Sequence, residues 1–197
     1  MHSRGYTLIE ILVALGIFTI VMAAPTGFFV MALKGQQRAL ATQEILDEVS
    51  YSLEYVSRAL RMAKKELNCT SKTDPLTCSC LKNNGYGFNY ESTYGGKGIK
   101  FNTYKTPSDC QEIFWDTSDN RLKEIRNGGQ SVALTSNELE IVAFKIGSSD
   151  SWTQNDNKQP RITLFLEVKG KKSSNPELQP VLKIQTSISQ RNLDVTY

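Results

Sequence analysis

The chain has 197 residues, 40% of them apolar and 22% charged, with a net charge of +3. So small a basic excess, with no basic run interleaved with aromatics, speaks against a nucleic-acid partner. The single histidine, His2, excludes a His-dependent triad or a His-based metal site from the body of the chain. No phosphate loop, dinucleotide fingerprint or nucleophile elbow occurs either, so the expectation is a protein that is not an enzyme and uses no cofactor.

The first element is Arg4-Gly5-Tyr6-Thr7-Leu8-Ile9-Glu10-Ile11-Leu12-Val13, which continues apolar to Leu33. About 28 residues at ~1.5 Å each are enough to cross a hydrocarbon core of roughly 30 Å. One carboxylate, Glu10, sits near the start of that run. A carboxylate in lipid is costly, normally needs a partner and marks function. Charge alone fits an ordinary single-span anchor equally well. His2 and Arg4 precede the run and Lys34 and Arg38 follow it, so the positive-inside comparison leaves the orientation open. Pro25 and Gly27 interrupt the run, and Pro25 is expected to kink the helix. Gly16 offers a place where a neighbouring helix can approach closely.

A short leader ending in Arg4-Gly5, then Tyr6-Thr7-Leu8-Ile9 and an acid at Glu10, resembles the class III signal of type IV pilins and type II secretion pseudopilins. The motif covers Arg4 to Leu15, and the apolar helix behind it fits to about Leu33. Two departures are Tyr6, where the family usually has Phe, and a leader at the short end. The resemblance implies cleavage between Gly5 and Tyr6 by a membrane aspartic prepilin peptidase on the cytoplasmic side, then N-methylation of Tyr6. Gly5 has no side chain to obstruct that approach. It further implies a single-pass protein of the inner membrane with its bulk extracytoplasmic, later part of a pilus or pseudopilus. Its partners would be the peptidase, other pilin or pseudopilin subunits, an inner-membrane assembly platform and lipid. Glu10 would then pair with the new ammonium of Tyr6, in its own chain or in the next subunit. The family favours the second pairing, which alone fixes the stagger between subunits, and reads Pro25 as a point where the helix bends or melts during packing. Length and the cysteine-bearing loop point to a minor, initiation or tip subunit, although one tip class usually lacks the acid. An adhesive or DNA-uptake minor pilin is the alternative.

Beyond Lys34 the helix is expected to continue to Leu67 with one apolar stripe: Leu46, Val49, Leu53, Val56, Leu60, Ala63 and Leu67. Acids (Glu44, Asp47, Glu48) gather early and bases (Arg58, Arg61, Lys64, Lys65) late, which suits the negative end of a helix. The stripe can be a coiled-coil seam or, the preferred reading, the face on which a sheet packs.

Residues 68–98 read as an irregular loop with Cys69, Cys78 and Cys80; the fourth cysteine is Cys110. An even count beyond a membrane span suggests disulfides. A Cys78–Cys80 bond would close a strained ring, leaving Cys69–Cys78 with Cys80–Cys110, or Cys69–Cys80 with Cys78–Cys110. A four-thiolate zinc site is the rival, weakened by the absence of paired knuckles. Tyr86, Phe88, Tyr90 and Tyr94 can form a partner surface, but cover for a sheet edge is the favoured reading.

From Gly98 the apolar period becomes two. Strands are expected at 99–104, 113–115, 121–126, 138–146, 161–169 and 181–188, with a hairpin loop at 116–120 and a turn at Asn127-Gly128-Gly129. Loop acids Asp116, Asp119, Asp150 and Asp156 do not match an EF-hand, and acidic turns commonly close themselves, so no metal is expected. The organisation is a leader at 1–5, a transmembrane and assembly helix at 6–33, an amphipathic helix at 34–67 and a β-rich domain at 68–197. The fold class is α+β: one long N-terminal helix packed on an antiparallel sheet, as in pilins.

Overall fold

The computed structural model describes residues 5–103, 109–147, 152, 159–171 and 179–191. Of the readings above, His2, Arg4, Tyr104, Asp150, Asp156 and the tail from 192 onward lie outside the described residues. Most of the connections 147–157 and 170–180 lie outside them as well.

A single helix, α1 (Leu8–Arg61, 54 residues), runs without a break through Pro25 and Gly27. At ~1.5 Å per residue it is about 81 Å long. Proline has no N–H to give to the carbonyl one turn back. Thr26 Oγ1 donates to the Met22 carbonyl at 3.1 Å, so a side chain supplies a hydrogen bond beside that gap.

The second half of α1 buries one stripe: Ile45, Val49, Ser52, Val56 and Leu60. The expected stripe shifts at its ends. Ile45 takes the inward position, while Leu46 is exposed. The helix stops at Arg61 rather than Leu67, because the next backbone groups find better partners on the sheet. Lys64 N–H donates to the Asn102 carbonyl at 2.9 Å, Glu66 N–H to the Phe88 carbonyl at 2.8 Å, and Gly87 N–H to the Glu66 carbonyl at 2.7 Å. Ala63 is still buried, but Leu67 points to solvent.

Among the described residues eight strands follow: β1 (Tyr90–Thr93), β2 (Gly98–Asn102), β3 (Cys110–Asp116), β4 (Arg121–Arg126), β5 (Val132–Ala133), β6 (Leu139–Ile146), β7 (Arg161–Gly170) and β8 (Val181–Ser189). They form two antiparallel sheets, β1-β2-β3-β4-β5 and β6-β7-β8. Backbone bonds join the sheets where β6 passes the hairpin tips: Ile141 N–H to the Asn120 carbonyl (2.8 Å) and Ile146 N–H to the Gly96 carbonyl (3.0 Å). β1 lies within the stretch expected to be loop; its short sequence shows no alternation, and Gly95 and Gly96 (φ +65° and +88°) close the hairpin to β2.

The core joins the α1 stripe to Tyr90, Ile99, Phe101, Ile113 and Leu122 of one sheet and to Leu139, Ile141, Phe144, Ile162, Leu164, Leu166, Val168 and Ile188 of the other. Ile162, Leu164, Leu166 and Val168 alternate along β7 and all four face the core; Leu182 and Ile184 of β8 are half-buried against it. Trp152, whose sequence neighbours are polar, is interior: its Nε1–H donates to the Arg161 carbonyl at 2.9 Å, and its ring lies 5.7 Å from that of Tyr90. Gly170 marks where β7 and α1 come closest, since a Cβ there would lie 2.5 Å from Ile45 Cδ1.

Cys69 pairs with Cys78 and Cys80 with Cys110, the first of the two pairings left open by the sequence. With all four sulfurs bonded, none is free for zinc. The loop they staple is organised by the fully buried carboxylate of Glu66. Glu66 accepts from the backbone N–H groups of Asn68 (2.9 Å), Cys80 (2.8 Å) and Leu81 (3.1 Å), and from the Ser79 hydroxyl (3.3 Å). A second buried acid, Glu91, accepts from Asn83 N–H at 2.9 Å and Asn83 Nδ2 at 2.6 Å.

The β3–β4 hairpin is held by Lys123, whose Nζ lies 2.6 Å from Asp116 Oδ2 and 2.7 Å from Asp119 Oδ2. Hydrogen bonds from Lys123 hold both carboxyls below the usual range, and the two acids hold the Lys123 ammonium above its ordinary value. Each shift has a sign for stability. The carboxylates stabilise the fold above their unfolded value of ~4, and that contribution is lost as pH falls through the depressed folded values. The lysine stabilises it below ~10.4, and that contribution is lost as pH rises through the raised folded value.

Two outcomes are expected from full-length protein in detergent. Glu66→Leu strands two buried N–H donors, those of Cys80 and Leu81, and lowers the unfolding free energy by about 3 kcal/mol, read as a shift in the urea midpoint. Lys123→Met flattens both the acid and the alkaline limbs of a plot of urea midpoint against pH; unchanged limbs would contradict the hairpin assignment.

Candidate functional site

The residues singled out at the N-terminus lie in the first turn of α1 and in the three residues just before it. Thr7 is the extended residue before the helix (φ −79°, ψ 150°), and its carbonyl accepts from Glu10 N–H at 3.1 Å and Ile11 N–H at 3.3 Å. The Thr7 side chain makes no capping bond. Glu10 is the acid of the first turn, where the exposed N–H groups of a helix start favour negative charge. Gly5 and Tyr6 precede the helix in non-helical backbone and are exposed. Both residues are therefore open to an approaching molecule.

Tyr6, Glu10, Ile11, Ala14, Leu15 and Phe18 line one shallow groove of about 530 Å³. Its walls are apolar apart from the Glu10 carboxylate. No described side chain from the β-rich body reaches this half of the helix; Leu8, Ile9, Ile20, Phe28 and Met31 are each more than 70% exposed. In water such a surface would be strongly unfavourable, so it requires lipid or other apolar helices. By length and composition it is a candidate membrane span. Its hydroxyls are already satisfied within the helix: Thr19 Oγ1 donates to the Gly16 carbonyl at 2.8 Å and Thr26 Oγ1 to Met22. That is the arrangement lipid demands of polar groups. At Gly16 and Gly27 nothing lies within 4 Å of where a Cβ would sit, so both offer bare backbone to an approaching helix.

The other candidates do not assemble a site. Asp116 and Asp119 converge, but on Lys123, which already supplies the positive charge a cation would bring. Of the four aromatics, Tyr90 is interior and donates to the Leu60 carbonyl at 2.7 Å. Tyr86 and Phe88 are half-buried, with Lys72 Nζ 4.9 Å from the Tyr86 ring. Tyr94 lies over Phe114 at 4.9 Å. Tyr90 is thus a core residue and Tyr94 packs on β3, so the four do not form an open row of rings.

Two polar arrangements had no signal in the sequence. Tyr55 donates to Glu124 (2.7 Å) and accepts from Arg126 (2.6 Å), while Gln111 Nε2 donates to Glu124 (2.6 Å), joining α1 to β3 and β4. Burial, and next the Glu124 carboxylate, push the Tyr55 hydroxyl upward. A cleft also runs between the last turns of α1 and the end of β8, lined by Arg58, Arg61, Gln190 and Arg191 among others. Both depend on strand pairings that bring together residues far apart in the chain.

Residues 1–24 match the family model described as the prokaryotic N-terminal methylation motif. No curated protein and no solved structure matches the chain. The chain therefore carries the class III prepilin signal of the type IV pilins and pseudopilins, ahead of an α+β body of pilin-like architecture.

Proposed function

We propose that this protein is a structural subunit, without catalytic activity, of a type IV pilus-like or type II secretion pseudopilus filament, and that it is a minor component. The observation that carries this reading is the uncovered apolar half of α1, with a single carboxylate in its first turn directly behind the methylation motif. A prepilin peptidase removes residues 1–5 and leaves a methylated amine on Tyr6. The amine keeps its charge after methylation. In lipid both this ammonium and Glu10 are unfavourable alone; paired, each satisfies the other. Tyr6 and Glu10 line the same groove, so a pair within one chain is within reach. A pair between chains satisfies the same charges and also sets how far one rod is displaced along its neighbour. Before assembly the rod sits in the inner membrane with the body outside, and lipid covers its sides. In the filament the apolar faces of other subunits, delivered through the assembly platform, replace lipid. Since apolar surface is covered in both states, transfer does not forfeit hydrophobic stabilisation, and the ion pair selects the register.

Mass spectrometry of the mature amino terminus is expected to find methyl-Tyr6. A chain that always retains residues 1–5 would overturn the reading. Glu10→Leu is expected to leave membrane insertion intact and to remove the protein from sheared filaments by at least about tenfold, the equivalent of ~1.4 kcal/mol or more. Normal incorporation of that variant would reject the role given to Glu10.

A further inference from the structure

The chain holds two Asn-Gly pairs, Asn84-Gly85 and Asn127-Gly128. Such a pair carries its own chemistry. Glycine has no Cβ, so its backbone nitrogen can close on the side chain of the asparagine before it. The fold sets the two pairs in opposite circumstances. Gly85 is buried, and its N–H donates to the Leu81 carbonyl at 2.9 Å. Asn84 is half-buried, and its Nδ2 donates to the Tyr90 carbonyl at 2.9 Å. Asn127 and Gly128 lie in an exposed turn after β4, with φ of +50° and +68°. The Gly129 N–H closes that turn on the Arg126 carbonyl at 2.8 Å. Among the described residues the Gly128 N–H has no hydrogen-bond partner. The Asn127 amide is oriented from both ends: Oδ1 accepts from the Cys110 N–H at 2.8 Å, and Nδ2 donates to Asp109 Oδ1.

We infer that Asn127 is a self-modification site, deamidated through attack by the Gly128 nitrogen, and that the fold spares Asn84. Hydroxide takes the exposed Gly128 N–H proton, and the nitrogen forms a bond to Asn127 Cγ. Negative charge then develops on Oδ1, which already accepts the Cys110 N–H, and that donor stabilises it. The Cγ–Nδ2 bond breaks; Nδ2 takes a proton from water and leaves as ammonia, returning hydroxide. Water opens the resulting cyclic imide at one carbonyl or the other, leaving aspartate or its β-linked isomer. At Gly85 the same nitrogen is tied to Leu81 and shielded from base, so the first step is blocked. The product alters the start of β3. Where Nδ2 donated to Asp109, one carboxylate now faces another, and like charges at that range repel. The tie that weakens is the one holding the end of β4 to Cys110, which also includes the Asn127 N–H to the Cys110 carbonyl at 2.7 Å. Cys110 carries the disulfide to Cys80, so the added charge is written beside the anchor of the stapled loop.

The test is incubation of the full-length protein in detergent at mildly alkaline pH, its disulfides intact, with peptide mass spectrometry following amide-to-acid conversion at both pairs. Asn127 is expected to convert at least about tenfold faster than Asn84, the equivalent of ~1.4 kcal/mol in barrier. In the reduced, denatured chain the two rates are expected to come within about twofold of each other, a barrier difference below ~0.5 kcal/mol. No conversion at Asn127, equal rates in the folded protein, or a faster Asn84 would overturn the inference. A ratio that persists in the denatured chain would assign the difference to local sequence and overturn it as well. Asn127→Asp is expected to lower the urea midpoint, and Asn127→Asp with Asp109→Asn to return it, because an amide donor again faces the carboxylate. A midpoint that Asn127→Asp leaves unmoved would reject the consequence assigned to the reaction.

Discussion

One constraint governs this molecule: a single unbroken helix has to satisfy two different surroundings. Up to about Leu33, α1 is apolar on all sides and touched by nothing else among the described residues. From Ile45 to Leu60 it is apolar on one side only, and two sheets cover that side. A helix that is hydrophobic all round must be enclosed by lipid or other helices, whereas a one-sided helix needs a single partner layer. The β-rich body covers the second half. The first half is left for an environment that the isolated chain does not contain.

The body solves its own difficulty at the point where the helix ends. The last carbonyls of a helix and the segment leaving it carry unsatisfied polar groups. Here the chain turns at Met62 and lays residues 63–66 along the sheet, so Asn102 and Phe88 take up the freed N–H groups. Glu66 then collects the backbone donors of the cysteine-bearing loop. Tyr90 reaches across to the Leu60 carbonyl, and Gln190 Nε2 to that of Ala63 at 2.7 Å. The helix terminus, the disulfide loop, the edge strand and the end of β8 are therefore one hydrogen-bonded unit. The two disulfides reinforce a loop whose shape is already dictated by where its N–H groups must go.

Much of this was legible in the residues because it is periodic or punctuated. The apolar run with Glu10 inside it, the Val49–Val56–Leu60 stripe, the alternation of Ile162, Leu164, Leu166 and Val168, and the Asn127-Gly128-Gly129 turn all speak through spacing. The Tyr6–Glu10 segment was legible for the same reason, since its parts are adjacent in sequence. What escaped was non-local. The helix stops at Arg61 because of partners well downstream, with Asn102 accepting from Lys64 and Phe88 from Glu66. Strand β1 is four residues without alternation, recognisable only once β2 lies beside it. Trp152 looked like a loop residue because its neighbours are polar, and only Tyr90 and Arg161 reveal its place inside. The Arg61–Arg191 cleft draws on opposite parts of the chain, and no motif joins them.

The stretch of α1 between the apolar rod and the body has a consequence of its own. From Lys34 to Leu40 every side chain is exposed, and the first buried residue is Ile45. Seven residues of bare helix, ~10 Å long, separate the end of the rod from the first half-buried residue, Ala41. That is close to the ~8 Å over which charges are felt at physiological ionic strength. Lys34 and Arg38 are the two cations on this stalk, so the surface charge of a bilayer meets them before it meets the buried stripe.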